Sequence, residues 1–223
     1  MCADPGPHEP GSNPCGPASA DATSFARLAG ATPTQMADLA RFRRMLGDWN
    51  VRINLVSAAS LEAFWPRHAW DSAQLLQLEP LARVWADLGA GAGFPGLVLA
   101  ILLKGKPGAQ VHLIESQARR CRFLEAVVAA LDLPATVRRA RAESVTLKVE
   151  VVTARAVAPL TRLIGLAQPM LALGARGLFL KGRGAEAEIA EARRAWRFSL
   201  KVIESRSDPQ GRILEIRGVS RGR

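Results

Sequence analysis

The chain contains no tyrosine, and aromatic residues make up only 5% of it, so a platform of stacked rings for single-stranded nucleic acid has little to be built from beyond Phe94 and the tryptophans. Cysteine is also scarce. Cys2, Cys15 and Cys121 are odd in number and show no short paired spacing, while His8, His68 and His112 are scattered. That pattern supports neither a disulfide framework nor a zinc site, and it points to a reducing compartment. No cationic start leads into an apolar leader segment, and the longest apolar run, around GLVLAILL, is far short of a membrane span. A cytoplasmic protein with no bound metal and no membrane partner is expected. Acidic side chains are outnumbered as well, 20 against 30 basic ones, for a formal charge of +10. The imbalance is concentrated: the segment before residue 31 carries Asp4, Glu9 and Asp21 against Arg27 alone, so the remainder is more basic than the total. Such an excess draws polyanions, which makes nucleic acid or an anionic surface the expected class of partner.

Residues 1–30 are rich in Pro, Gly, Ser, Ala and Asp and nearly devoid of large apolar side chains, a composition that cannot offset the entropy of ordering; a disordered tail is expected there. Thr32 then offers an N-cap with Pro33 at the first helical position, and Met36, Leu39, Phe42, Leu46 and Trp49 recur at three- and four-residue steps. A second helix begins near Ser60 with Leu61, Phe64 and Trp65, is interrupted by Pro66, and continues through HAWDSAQLL. Residues 31–80 are thus read as a helical cap. From residue 81 to 223 short apolar strands alternate with helices, the pattern of an α/β domain with a mostly parallel sheet. The strands are RVWADL, QVHLIE, TVRRA, EVVTAR, RGLFLK, RFSLKVIE and RILEIRG. Phe123, Leu124, Val127, Val128 and Leu131 mark one intervening helix, and Leu160, Leu163, Ile164, Ala167 and Leu171 another. The last two strands are joined by a short SDPQG turn and not by a helix, so they should pair antiparallel, giving seven strands with a terminal hairpin.

In open α/β sheets the ligand crevice lies beyond the carboxyl ends of the strands, where strand order reverses. The first strand ends in Asp87-Leu88-Gly89, which places the turn GAGAGFPG at that edge. Gly91, Gly93 and Gly96 satisfy GxGxxG, a pattern that also fits a tight structural turn. Glu115, at the end of the second strand, suits the two hydroxyls of a ribose and is compatible with a nicotinamide enzyme too. Asp87 discriminates: a carboxylate at this turn repels a pyrophosphate but attracts the α-ammonium and sulfonium of S-adenosylmethionine. A turn or helix-cap aspartate is the plainer alternative for the same residue.

Taken together, DLGAGAGFPGLVLAI, NLVSAAS, RHAWDSAQLL, VHLIESQARRCRFLEAVV, RARAES, and VVTARAVAPLTRLIGLAQPML followed by LFLKG resemble the RsmG (GidB) family of bacterial 16S ribosomal RNA guanine-N7 methyltransferases. The resemblance runs over residues 33–218. It implies a Rossmann-like class I methyltransferase domain with a seven-stranded mostly parallel sheet, S-adenosyl-L-methionine as methyl donor, and as acceptor a guanosine, position 527, in the 530 loop of 16S rRNA or of the small ribosomal subunit. It also places cofactor contacts at Gly89, Phe94, Ala142, Glu143 and Arg155, beside Asp87, Gly91, Gly93 and Glu115. A monomer is expected.

Guanine N7 carries a free lone pair, so methyl transfer needs no proton removed and no catalytic base. The chain agrees, for its fourth strand is followed by ARAVAPL and not by an Asn/Asp-Pro-Pro-aromatic grip for exocyclic amines, and no cysteine stands there to add to a pyrimidine. Catalysis would come from proximity, in-line orientation and electrostatics. Arg155, at the end of the fourth strand, is the candidate catalytic residue, in a positioning role. Lys181, ending the fifth strand on the same edge, and Arg183 are candidate RNA contacts, with Arg138, Arg139, Arg141 and the closing SRGR as further phosphate ligands. His68 and Asp71, in RHAWDS, either close the cap over the domain by a hydrogen bond or take part in catalysis. A methyltransferase for a small molecule or a protein is the alternative, which the basic balance opposes; a nucleotide-dependent oxidoreductase is a third, which Asp87 opposes.

Overall fold

The structure, a computed structural model, describes residues 21–222; Cys2, His8, Cys15 and most of the expected tail lie outside the described residues. Within them the tail reading needs one correction, because helix α1 (Ala22–Ala29) occupies its last third. Asp21 caps the helix by accepting from Ser24 N at 2.8 Å, and Gly30 closes it in the left-handed region. A single large side chain anchors the helix: Phe25 is wholly buried, its ring 5.5 Å from that of Trp65. Average composition over thirty residues hid one aromatic worth about 1.5–3 kcal/mol on burial.

Helix α2 (Pro33–Ile53) begins with a complete capping box, Thr32 accepting from Gln35 N while Gln35 Oε1 accepts from Thr32 N. Its buried stripe is Leu39, Phe42 and Leu46. Helix α3 (Ala58–Glu62) is followed by a π-helical stretch, Phe64–Ala69, and then by α4 (Trp70–Leu78). Pro66 lies inside the π-helical stretch, where the Trp70 amide reaches back to the Trp65 carbonyl. The widened turn relieves the clash that a proline ring makes with an α-helical carbonyl four residues earlier. It also turns Phe64, Trp65 and His68 inward together, all buried.

Each expected strand is present: β1 (Val84–Leu88), β2 (Gln110–Glu115), β3 (Ala135–Arg139), β4 (Val151–Arg155), β5 (Arg176–Lys181), β6 (Trp196–Glu204) and β7 (Arg212–Arg221). They form one sheet in the order β3-β2-β1-β4-β5-β7-β6, parallel except for β7, which pairs antiparallel with β5 and β6. Strand order reverses between β1 and β4, and that fixes where a ligand crevice opens. Helices α5 (Gly96–Leu103), α6 (Ala118–Leu131), α7 (Leu160–Leu171) and α8 (Ala185–Ala195) cover the faces. The cap, α5 and α6 pack on one face, α7 and α8 on the other. Among the described residues no helix is long and apolar enough to cross a membrane, and no group of His, Cys, Asp or Glu is arranged to hold a metal ion.

Candidate active site

The turn after β1 is built around backbone amides that face carboxylates. Gly89, Gly91 and Gly93 all have positive φ (65°, 52° and 90°), which lets the chain double back within a few residues. Beneath the turn, Asp87 Oδ2 accepts from Gly96 N at 2.9 Å and Asp87 Oδ1 accepts from Thr153 Oγ1 at 3.2 Å. Asp87 is fully buried. Burial pushes its carboxyl up to about 7, against the two hydrogen bonds and the Arg155 charge, which favour ionisation. This corrects the expected charge match: Asp87 does not stand at an open lip facing a cation but fixes the start of α5 from below. Glu115 does the same work from the side, accepting from Gly91 N at 3.0 Å and from Gln117 N at 2.8 Å, with Arg120 at 3.9 Å.

Across the reversal point lies a cleft of about 870 Å³ walled by the cap, the chain after β4, the end of β5 and the β6–β7 turn. Arg155 enters it from β4, donating from Nη1 to the Arg67 carbonyl at 3.2 Å and to Asp71 Oδ2 at 3.4 Å. Its guanidinium carbon sits 5.0 Å from the centre of the Phe94 ring, and the His68 imidazole stacks on that same ring at 4.4 Å and 17°. Asp71 Oδ1 accepts from Ser207 Oγ at 2.9 Å. Burial raises the Asp71 carboxyl from its ordinary range, with Arg155 the main opposing influence. His68 bonds Ser60 Oγ through Nε2 at 2.6 Å, while its Nδ1 and the Trp70 Nε1 are buried without a partner among the described residues. Burial, followed by the nearby Arg155 and Arg67, depresses His68 to about 3, so the ring is neutral at physiological pH.

The structure therefore brings Gly89, Gly91, Gly93, Phe94, Asp87, Glu115 and Arg155 to one edge of the sheet around the strand reversal. Ala142 and Glu143 lie in a 3₁₀ turn, Ala142–Ser144, following β3. Phe94 is 4% exposed and packs against Phe42 and Phe64, so it joins the cap to the turn as much as it offers a surface. Lys181 needs a correction as a free phosphate ligand: its side chain is only 10% exposed and its ammonium bonds Glu188 at 2.7 Å and the Ala158 carbonyl at 2.6 Å. Placed between an acid and a carbonyl, it braces the cleft wall. Arg183 is exposed and forks onto Gln210 Oε1 at 3.0 and 2.8 Å. For His68 and Asp71 the packing gives the cap-closing role substance: His68 ties the cap to the glycine turn through Phe94, and Asp71 ties it to β4 through Arg155.

Sequence reasoning missed Ser207, Ser60 and the carbonyl of Arg67. SDPQG reads only as a hairpin connection, and nothing local indicates that it folds onto α4, where Asp71, Gln74 and Gln77 share a face and all bond the β6–β7 turn.

A donor set of this kind fits an adenosyl amino acid. A Cβ on Gly89 would come 2.8 Å from Val157 Cγ2, so the bare backbone keeps the turn closed on the segment after β4 while its amides stay near the crevice. Glu115 has spare acceptor positions after its two backbone bonds, as two ribose hydroxyls require.

Comparison with known proteins gives the family. The model of the family described as rRNA small subunit methyltransferase G matches residues 35–213. The ribosomal RNA small subunit methyltransferase G of Caulobacter vibrioides is 56% identical over 203 residues, covering 91% of this chain and 94% of that protein. Its counterpart in Parvibaculum lavamentivorans is 45% identical over 208 residues, covering 92% of each. Among solved structures, the magnesium protoporphyrin IX methyltransferase of Synechocystis with bound S-adenosylmethionine superposes with a TM-score of 0.52 at 14% identity, over 84% of this chain and 99% of that one, a likeness of fold. With the family model matching four-fifths of the sequence and a relative 56% identical over nine-tenths of it, the chain belongs to the rRNA small subunit methyltransferase G family.

Proposed function

We propose that the chain transfers the methyl group of S-adenosyl-L-methionine to N7 of a guanine in 16S rRNA, position 527 in the 530 loop, acting as a monomer in the cytoplasm on the RNA or the small subunit. The observation that carries this reading is the convergence of the glycine turn with Glu115 on one side of the β1/β4 reversal and the Arg155–Asp71 cleft on the other, in a member of this family. When bound, the cofactor supplies an electrophilic methyl on a sulfonium.

The residues that would hold it are Gly89, Gly91 and Gly93 by their backbone, Glu115 by its carboxylate, and Ala142 and Glu143 along the adenine edge. Asp87 would support them from beneath through its bond to Gly96 N. Phe94 closes the floor between cofactor side and base side. The cleft has the volume of a small-molecule site, enough for a nucleoside turned out of an RNA loop.

No general base is required, and the cleft offers no suitable one: His68 is a neutral, buried ring far below its ordinary pKa, and Asp71 is held by Arg155 and Ser207. During transfer positive charge moves onto the guanine ring. A bare arginine beside that ring would oppose the change; Asp71 pairs with Arg155 at 3.4 Å and offsets its charge. Arg155 is thereby able to orient the base by hydrogen bonding without the full electrostatic cost, which makes the pair a positioning unit.

7-Methylguanosine is cationic and labile, so borohydride followed by aniline should cleave small-subunit RNA at the modified guanine in cells that hold this protein and leave it intact in cells that lack it. Equal cleavage in both would overturn the assignment.

A further inference from the structure

On the flank of the molecule, sharing no lining residue with the cleft, a second concavity of about 350 Å³ is formed where α8 runs into β6 and β7 ends. Gly222 N bonds the Ala195 carbonyl at 3.0 Å and Trp196 pairs with Arg221 across the ladder, so Arg193, Arg194 and Arg197 line the concavity and Arg221 lies beside it over the Trp196 ring. Only Arg194 has a carboxylate within 4.0 Å among the described residues, the exposed Glu191. Two of the others are oriented by aromatic faces: Arg193 lies 5.3 Å over Phe198 and Arg221 lies 5.0 Å over Trp196.

A guanidinium held over a ring face is restricted in its rotamers and keeps N–H donors free for a phosphate. Among the described residues only Glu191 offsets these like charges, so they repel, and a polyanion removes that repulsion. Base stacking is not on offer, because Trp196 is 7% exposed and arginines cover both rings. Trp196 Nε1 donates to the Thr161 carbonyl at 3.0 Å, two residues beyond Pro159 in the cleft wall, so helix α7 separates the two concavities.

We propose that this arginine concavity is a second RNA contact, binding backbone phosphates of the strand beyond the target nucleotide, without reading sequence. The inference rests on the reading of RNA as substrate. It adds to that reading a place where affinity is supplied apart from the chemistry.

The test compares the full chain with its Arg193→Gln/Arg197→Gln/Arg221→Gln variant, measuring affinity for an unmodified 16S rRNA transcript at several salt concentrations and S-adenosylhomocysteine binding by calorimetry. The slope of log K against log salt should fall by about 2–3, since each phosphate contact contributes about 0.7–0.9. Affinity at low salt should drop tenfold or more, with S-adenosylhomocysteine binding unchanged. Equal slope and affinity in the two proteins would overturn the proposal. If the triple variant loses cofactor binding, Arg197→Gln alone, which disturbs no aromatic stack, should lower the slope by about 0.7–0.9; an unaltered slope there also overturns it. A wild-type chain that binds S-adenosylhomocysteine but shows no salt-dependent RNA affinity would refute the RNA reading itself, and this site with it.

Discussion

Around the glycine turn, the carboxylates of Asp87 and Glu115 each accept from a backbone amide, nine and 24 residues away in the chain, with the Thr153 hydroxyl as a further donor to Asp87. Across the strand reversal, Asp71 is engaged by side chains, Arg155 and Ser207, that come from 84 and 136 residues away. The two sides thus differ in what positions them. Backbone amides cannot swing aside, so the turn is set once the sheet forms. Guanidinium and hydroxyl groups can change rotamer, and the 3.4 Å separation between Arg155 and Asp71 leaves room for a base to compete for either partner. A cofactor common to many methyltransferases would meet a rigid surface, and a particular RNA base an adjustable one.

The sharpest test of that contrast uses two glycines. A Cβ on Gly96 would strike the Leu113 side chain and come 2.7 Å from Asp87 Oδ2, whereas a Cβ on Gly182, in the cleft wall, meets nothing within 4 Å. Gly96→Ala should lower unfolding free energy by about 3 kcal/mol and weaken S-adenosylhomocysteine binding in parallel, since the displaced groups form the turn. Gly182→Ala should stay within about 0.5 kcal/mol of the parent. Urea melts that rank the two glycines equally would dissolve the distinction.

Asp87 gives the next largest effect. Asp87→Ala leaves the buried Gly96 amide without an acceptor and should cost about 1–3 kcal/mol. Asp87→Asn keeps an oxygen for Gly96 and can donate to Thr153 Oγ1, which is then free to donate to the Ala86 carbonyl 3.3 Å away, so it should cost much less. The pH dependence carries a sign. Burial raises Asp87 from 3.8 to about 7, so between those values the folded state holds a proton that the unfolded chain has lost, and stability falls as pH rises through the window. His68 acts oppositely: depressed from 6.5 to about 3, it is neutral when folded and charged when unfolded, so stability falls as pH drops below about 6.5. Asp87→Asn should remove the first slope and leave the second, as read from thermal melts between pH 4 and 8. A variant profile parallel to the parent's would show that Asp87 is ionised throughout.

The same contrast explains what could be read from the sequence. The β strands are short, apolar and bounded by turn residues, and the periodicity of α2, α6 and α7 is written in their spacing, so the α/β architecture was legible. Helix α5 carries no stripe because all eight of its residues are buried, and α8, AEAEIAEARRA, has too few large apolar residues to show one. Phe25 is not marked as core by its surroundings, because a lone aromatic in an Ala- and Ser-rich stretch reads as tail until its partner Trp65 is known. The position of Gly91, Gly93 and Glu115 at the sheet edge follows from local motif spacing. The depth of Asp87, the capture of Lys181 by Glu188 and the arrival of Ser207 beside Asp71 depend on the packing of distant segments, which no local spacing encodes.

The smallest effect is expected at Ser207, and it bears most directly on whether the two sides are independent. Its hydroxyl donates to Asp71 Oδ1 at 2.9 Å and lies 2.8 Å from Ser205 Oγ and 3.2 Å from Gln74 Nε2, so Ser207→Ala removes one half-buried node and leaves the β6–β7 turn held by Arg206 N on Gln74 Oε1. The net loss should be about 1 kcal/mol. With one donor gone, the Asp71 carboxyl rises further and its hold on Arg155 weakens, so the apparent KM for RNA should rise severalfold as the orienting arginine gains freedom. Among the described residues the glycine turn has no bond to this hairpin, so S-adenosylhomocysteine affinity should stay as it was. If calorimetry instead shows cofactor affinity falling in step with RNA affinity, Arg155 transmits the change through Phe94, and the rigid and adjustable sides form a single coupled unit.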